Sequence, residues 1–129
     1  MPATNYANNG LLSYEFLKTG INPVTHIGLS TSLIDDNGGG AAEPESGTGY
    51  ARQSISAWTY PEDGKAYNNA KTTFPVCSDS WGTIVEVFLS DAQTGGNILY
   101  HTKLSPTIPT YIGTQLIFNP QTFIVTERA

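Results

Sequence analysis

Residues 81–91 read WGTIVEVFLSD and carry the clearest strand signal in the chain. Val, Ile, Thr and Phe dominate, and such side chains fit a pleated, half-buried surface. Alternation expects Ile84, Glu86, Phe88 and Ser90 on one face, with Val85, Val87 and Leu89 on the other. Just downstream, 94–97 is TGGN, a Gly-Gly turn between two strands. The partner strand is 97–104, NILYHTKL. Turns are then expected at Pro106 and Pro109, followed by strands over 110–118 and 121–126. Upstream, 71–76 is a short strand that should lie at an edge or stop at Pro75, which has no N–H to donate. Residues 60–70 are turn-rich, with PEDG at 61–64, and 50–58 and 24–30 alternate as strands. In 24–30, Val24, His26 and Gly28 oppose Thr25, Ile27 and Leu29.

Two segments break the strand pattern. Residues 4–18, TNYANNGLLSYEFLK, predict a helix, with Thr4 or Asn5 as N-cap and Gly20 to close it. Gly10 weakens it by about 1 kcal/mol relative to Ala. Such a helix is marginal alone and must dock against something. Residues 31–49, TSLIDDNGGGAAEPESGTG, form a long polar loop with little packed structure expected. A loop of that length in a small domain usually has a function or moves. Short strands with turns every 8–12 residues or so predict an all-β fold. The expected fold is an antiparallel β-sandwich, jelly-roll-like, with a short N-terminal helix. The expected organisation is a helical arm over 1–20 and a sandwich domain over 21–129.

Composition agrees. The 129 residues make one domain, and 39% hydrophobic content can build a core. Only 13% are charged, against roughly 25% in ordinary soluble domains. Net charge is −5 and the pI is near 4.7. Six Lys and Arg give no basic face for nucleic acid or an anionic bilayer. No apolar run is long enough to span a membrane, and the first residues have no signal-peptide pattern. Cys77 is the only cysteine, which rules out an intramolecular disulfide and a Cys-rich zinc site. It reads as a small buried hydrophobe. The chain is expected to be made in a reducing cytoplasm, or to be indifferent to redox.

Reactive centres are hard to find. His26 and His101 both sit inside predicted strands, where packing is the commoner role. There is no G-x-S-x-G elbow. An EF-hand read from Asp35 fails, because the fifth position is Gly39 and the twelfth is Ser46. A looser calcium site of Asp35, Asp36, Glu43 and Glu45 competes with a plain solvated acidic loop, which is preferred. Glu86 could be a buried acid, but one carboxylate is not a glycosidase mechanism. Trp58, Tyr60, Tyr67, Trp81, Tyr100 and Tyr111 could form a sugar platform, though strand aromatics more often belong to a core or a subunit interface. No cofactor and no enzymatic activity are expected.

Several segments, in order, carry a resemblance. They are Asn5-Tyr6, Asn9 and Leu11-Leu12; residues 25–32; Glu43-Pro44; and Gly49-Tyr50-Ala51-Arg52. Thr73-Phe74-Pro75, Trp81-Gly82-Thr83, Asp91-Ala92 and 94–99, TGGNIL, follow. Together the chain resembles the short tailed-phage proteins labelled phage tail fibre proteins, over almost its whole length. It departs from them near Ile117–Thr126, where Phe118-Asn119-Pro120 stands in place of a Gly-rich turn. The resemblance implies a virion component made in the host cytoplasm, a β-rich homotrimer, and no enzymatic activity. Small size and a helix that needs a partner favour a capsid decoration or cement protein docked on major capsid or tail proteins. The alternative is a tail-fibre, receptor-binding trimer. Its contact loops would be Asp35, Asp36, Asn37, Glu43 and Glu45, with Thr94, Gly95 and Gly96 beside them. A reading of another class is a carbohydrate-binding module for host surface glycan, which needs Trp58 or Trp81 exposed. For assembly, Asn5, Tyr6, Leu11, Leu12, Phe16 and Leu17 are the docking candidates. Arg52 is the candidate buried or inter-subunit cation, since Arg suits bidentate pairing.

Overall fold

The computed structural model describes residues 1–10, 22–55, 58, 65–120 and 122–126. Its centre is β5, Thr83–Ser90. On one side lies β1, His26–Ser30; on the other lies β6, Ile98–Pro109, both antiparallel to it. The two-residue β2, Gln53–Ser54, adds beyond β1, so the main sheet has the order β2-β1-β5-β6. Two small antiparallel pairs complete the set among the described residues. β3, Lys65–Tyr67, pairs with β8, Ile124–Thr126; β4, Thr72–Thr73, pairs with β7, Ile117–Phe118. The architecture is an all-β antiparallel sandwich.

Register follows the apolar pattern. Ile27 lies opposite Leu89 and Leu29 opposite Val87. These four join Phe74, Cys77, Trp81, Leu116, Phe118 and Phe123 in one buried cluster. Full burial of each such aliphatic side chain stabilises by about 2 kcal/mol. Aromatic edges knit the cluster: the Tyr50 and Trp81 rings meet edge-on at 5.4 Å, and Phe118 lies 5.1 Å from Phe123. Cys77 is inside it, and burial pushes its thiol up.

The outcome differs from the sequence expectation in several places. Ile84 packs in the apolar cluster rather than with Glu86 and Phe88. The reason is a break in the ladder: Ile84 pairs with Ile108 while Glu86 pairs with Lys103, so strict alternation is lost between them. That break also explains why Pro106 makes no turn. It sits where β6 owes β5 no hydrogen bond, and the strand continues to Pro109. The expected strand over 110–118 shrinks to β7, because residues 111–114 form a turn closed by the Thr114 amide on the Tyr111 carbonyl at 2.9 Å. Gly113 supplies the left-handed backbone there, with φ of 90°. In 50–58 the described strand is β2, with an isolated bridge from Trp58 to Asn68. The turn-rich 60–70 holds β3.

The N-terminus joins the sheet. Ala3 bridges to Tyr100, and the Thr4 amide donates to the Leu99 carbonyl at 2.7 Å. Residues 5–10 are helical. Thr4 is the N-cap: its Oγ1 accepts from the Ala7 amide at 3.2 Å and donates to the Ile98 carbonyl at 2.7 Å. The remainder of the predicted helix, with Leu11, Leu12, Phe16 and Leu17, lies outside the described residues. So does the PEDG turn.

Candidate functional site

The second face of β5 carries Glu86, Phe88 and Ser90, all at most 1% exposed. Polar strand faces usually meet water. Here residues 31–52 fold over the sheet instead, which corrects the expectation of an unpacked loop. Ile34, 6% exposed, anchors the crossing, and its amide donates to Glu86 Oε2. Ser30 Oγ donates to the Ser32 carbonyl and accepts from the Ala42 amide, drawing both limbs of the loop to the sheet. Pro44 is buried. A single Leu-Ile pair in a polar run is a weak signal, which is why the packing was not expected.

Arg52 holds the assembly together. Its Nε and Nη2 donate to the two oxygens of Glu43 at 2.8 and 2.9 Å, a bidentate pair. Nη1 reaches Ser90 Oγ at 3.1 Å and the carbonyls of Ala92 and Gly95 at 2.9 and 2.8 Å. The guanidinium lies 5.1 Å from the Phe88 ring centre. One side chain thus joins the long loop, β5 and the turn after it. Burial alone would raise the Glu43 carboxyl, but hydrogen bonds from Arg52 and from the Tyr50 hydroxyl hold it below its ordinary value. Burial, then the bond to Glu43, pushes the Tyr50 phenol up. The Arg52 partners are intramolecular.

Phe88 needs room, and Gly28 opposite provides it. A Cβ on Gly28 would stand 2.3 Å from Phe88 Cζ. Beside this ring, His101 Nδ1 meets Glu86 Oε1 at 2.7 Å. The Glu86–His101 pair was missed from sequence, because it depends on how β5 and β6 are registered. Among the described residues, His101 Nε2 has no hydrogen-bond partner.

The turn between β5 and β6 is tied by Asp91, which accepts from the amide and side chain of Asn97 at 2.8 and 3.1 Å. Burial would raise Asp91, and those bonds to Asn97 lower it below its ordinary value. Gly96 has φ of 67°, and a Cβ there would stand 2.5 Å from Asp91 Oδ1. Facing it, Asp35 Oδ1 accepts from the Asn37 and Gly39 amides at 2.9 and 2.8 Å. The Asn5 side chain donates to Asn37 Oδ1 at 2.8 Å, and the Asn5 amide donates to the Asp36 carbonyl at 2.7 Å. A polar cleft results, lined by Tyr6, Asn37, Glu43, Arg52, Gly96 and Asn97.

Sequence candidates from three distant segments therefore converge. Asn5, Tyr6, Asn37, Glu43, Arg52, Gly95 and Gly96 stand at or beside this cleft. Thr94 lines the neighbouring cleft with Pro44 and Gln93, and Glu45 lines a third, with Asp79 and Trp81. Asp35, Asp36, Asn37, Glu43, Glu45, Thr94, Gly95 and Gly96 are all exposed. The sugar platform on Trp81 is corrected: it is 3% exposed and its indole N–H donates to the Thr48 carbonyl at 2.9 Å. Trp58 is half-buried in an apolar groove with Val24, Leu89 and Tyr100. Among the described residues, no group of three His, Cys, Asp or Glu side chains is placed to hold a metal ion, and no helix is long and apolar enough to cross a membrane.

A family model described as podophage GP4 fiber I protein gp80 matches residues 2–126. No curated protein matches the chain. The family match runs from the N-terminal stretch beside β6 to the end of β8 and takes in both walls of the cleft. The chain therefore belongs to the podophage GP4 fiber I protein family and is a structural component of the phage virion.

Proposed function

We propose that this protein is a homotrimeric subunit of a podophage tail fibre, and that it works by shape and contact without a reactive centre. The observation that carries the reading is the match of a fibre-protein family over residues 2–126. It favours a fibre over the capsid decoration or cement role that size and the N-terminal helix suggested. The geometry suits the role. Loops that would otherwise be loose are held by Arg52 and Asp91, so they keep one shape at the surface. A preorganised loop loses less entropy on binding. Immunogold labelling of intact virions tests the placement. Gold at the tail is expected; gold spread over the capsid would overturn it in favour of decoration.

A second reading concerns the partner, a host surface glycan held in the cleft. Tyr6 favours it: the ring is 38% exposed beside the amides of Asn37 and Asn97. An aromatic face with amides around it suits the apolar and hydroxyl sides of a sugar ring. Saturation-transfer NMR with host polysaccharide fragments should give signals that Tyr6→Ala removes. Equal signals from both proteins would exclude the cleft.

A further inference from the structure

The polar cleft beside Tyr6 adjoins a second cleft. Both are lined by Glu43, Arg52 and Gly95, so they lie on two sides of one ion pair. The first has a volume of about 300 Å³ and the second about 240 Å³. Both stand at the small end of the ~300–1,000 Å³ usual for ligand sites, which suits one sugar ring in each. The divide between them is low. The Arg52 side chain is 6% exposed and that of Glu43 30%, so neither projects far and the pair forms a saddle. Among the described residues, Glu43 and Arg52 are the only charged side chains lining either cleft, and they neutralise each other through two bonds. The polar groups left over are neutral. Among the described residues, no hydrogen bond engages the Tyr6 hydroxyl, Asn37 Nδ2 or Asn97 Oδ1 in the first cleft. The same holds for the side chains of Ser46, Gln93 and Thr94 in the second, all three exposed. Tyr50 and Ala51 give that second cleft its apolar part.

We propose that the two clefts are adjoining subsites for one uncharged glycan segment at least two rings long, which crosses the Glu43–Arg52 saddle. The inference rests on the glycan reading and deepens it by naming the length and charge of the ligand. Sugar hydroxyls both donate and accept, so they can meet the free amide and hydroxyl groups of both clefts. The C–H faces of the rings fit Tyr6 on one side and Tyr50 with Ala51 on the other. A carboxylate or phosphate on the glycan gains nothing comparable. Arg52 is the one cation at hand, and it already donates through Nε and Nη2 to Glu43 and through Nη1 to Ser90, Ala92 and Gly95. An anion would also approach a chain of net charge −5. Charge thus selects a neutral ligand, and the shared saddle selects one long enough to reach both sides.

NMR titration of the full chain tests it, with size-sorted fragments of host polysaccharide split by anion exchange into neutral and acidic pools. Neutral fragments of two or three rings should bind about tenfold or more tighter than single sugars. Gln93→Ala with Thr94→Ala should abolish that gain. Near-UV circular dichroism checks folding; if the double variant is misfolded, Ser46→Ala replaces it. Acidic fragments of equal length should bind about tenfold or more weakly than neutral ones. An affinity that does not rise with length, or a rise that survives these variants, would overturn the second subsite and leave a glycan in the first. Acidic fragments that bind as tightly as neutral ones would overturn the neutral ligand. No binding by any fragment of either pool would overturn both this inference and the glycan reading beneath it.

Discussion

The two faces of β5 are equally dry and are held by different physics. On one, Val87 and Leu89 meet Ile27, Leu29 and the aromatic cluster. On the other, Glu86, Phe88 and Ser90 lie under a loop, with His101 and Arg52 as partners. Area burial is non-directional, so the first face asks only for apolar volume. The second depends on pairing its donors and acceptors, because an unpaired buried polar group costs about 1–3 kcal/mol; on that face His101 Nε2 stands without a partner among the described residues. The apolar face therefore makes the domain fold, and the polar face decides where its loops rest.

The largest expected effect comes from breaking the polar face. Glu86→Ala should lose about 4 kcal/mol, since it leaves the Ile34 amide and His101 unpaired and opens a cavity. Urea unfolding reads this as a fall in midpoint. Leu89→Ala should cost about 3 kcal/mol in the same assay. Near-isosteric changes sharpen the contrast. Leu89→Met should cost less than about 1.5 kcal/mol, whereas Glu86→Gln should cost about 2 kcal/mol by replacing one of the two oxygens that bond the Ile34 amide and His101. Equal penalties would mean that the two faces are not held differently.

Arg52→Lys should act locally. A single ammonium cannot reproduce the bidentate bond to Glu43 together with the reach to Ala92 and Gly95. Amides in 31–49 should exchange about tenfold faster while those of β5 hold, as measured by hydrogen exchange. The smallest effect is that of pH. Glu43 is held below its ordinary value of 4.5, so its contribution to stability is complete above that pH and is lost as pH falls through the folded value. Asp91, below its ordinary 3.8, acts in the same direction. Thermal melts should fall in temperature below about pH 4.5, and Glu43→Gln should flatten the upper part of that fall.

Much of the apolar face was legible in the sequence. Alternation in 81–91 and 24–30 places Val87, Leu89, Ile27 and Leu29 correctly, because period two is a local property. The N-cap was legible to within one residue, as Thr4 or Asn5, since capping depends on residues three apart, and the structure selects Thr4. Of the polar face, alternation places Glu86, Phe88 and Ser90 together, but not their partners. Glu86 with His101, and Arg52 with Glu43, are pairings set by register and by a loop crossing, and neither leaves a periodic trace. Arg52 could be singled out only because charges are scarce. The shift of Ile84 and the survival of β6 past Pro106 share one cause, a slipped ladder that composition does not encode. Of the cleft, the residues were nominated as separate arms and loops; their meeting is tertiary.

Native-state hydrogen exchange on the wild-type protein tests most directly whether the long loop is a packed wall of the sandwich. The amides of Ile34 and Ala42, bonded to Glu86 and Ser30, should be protected to nearly the extent of Val87 and Leu89. Exchange of these two at the rate of an unstructured peptide, with β5 still protected, would contradict it.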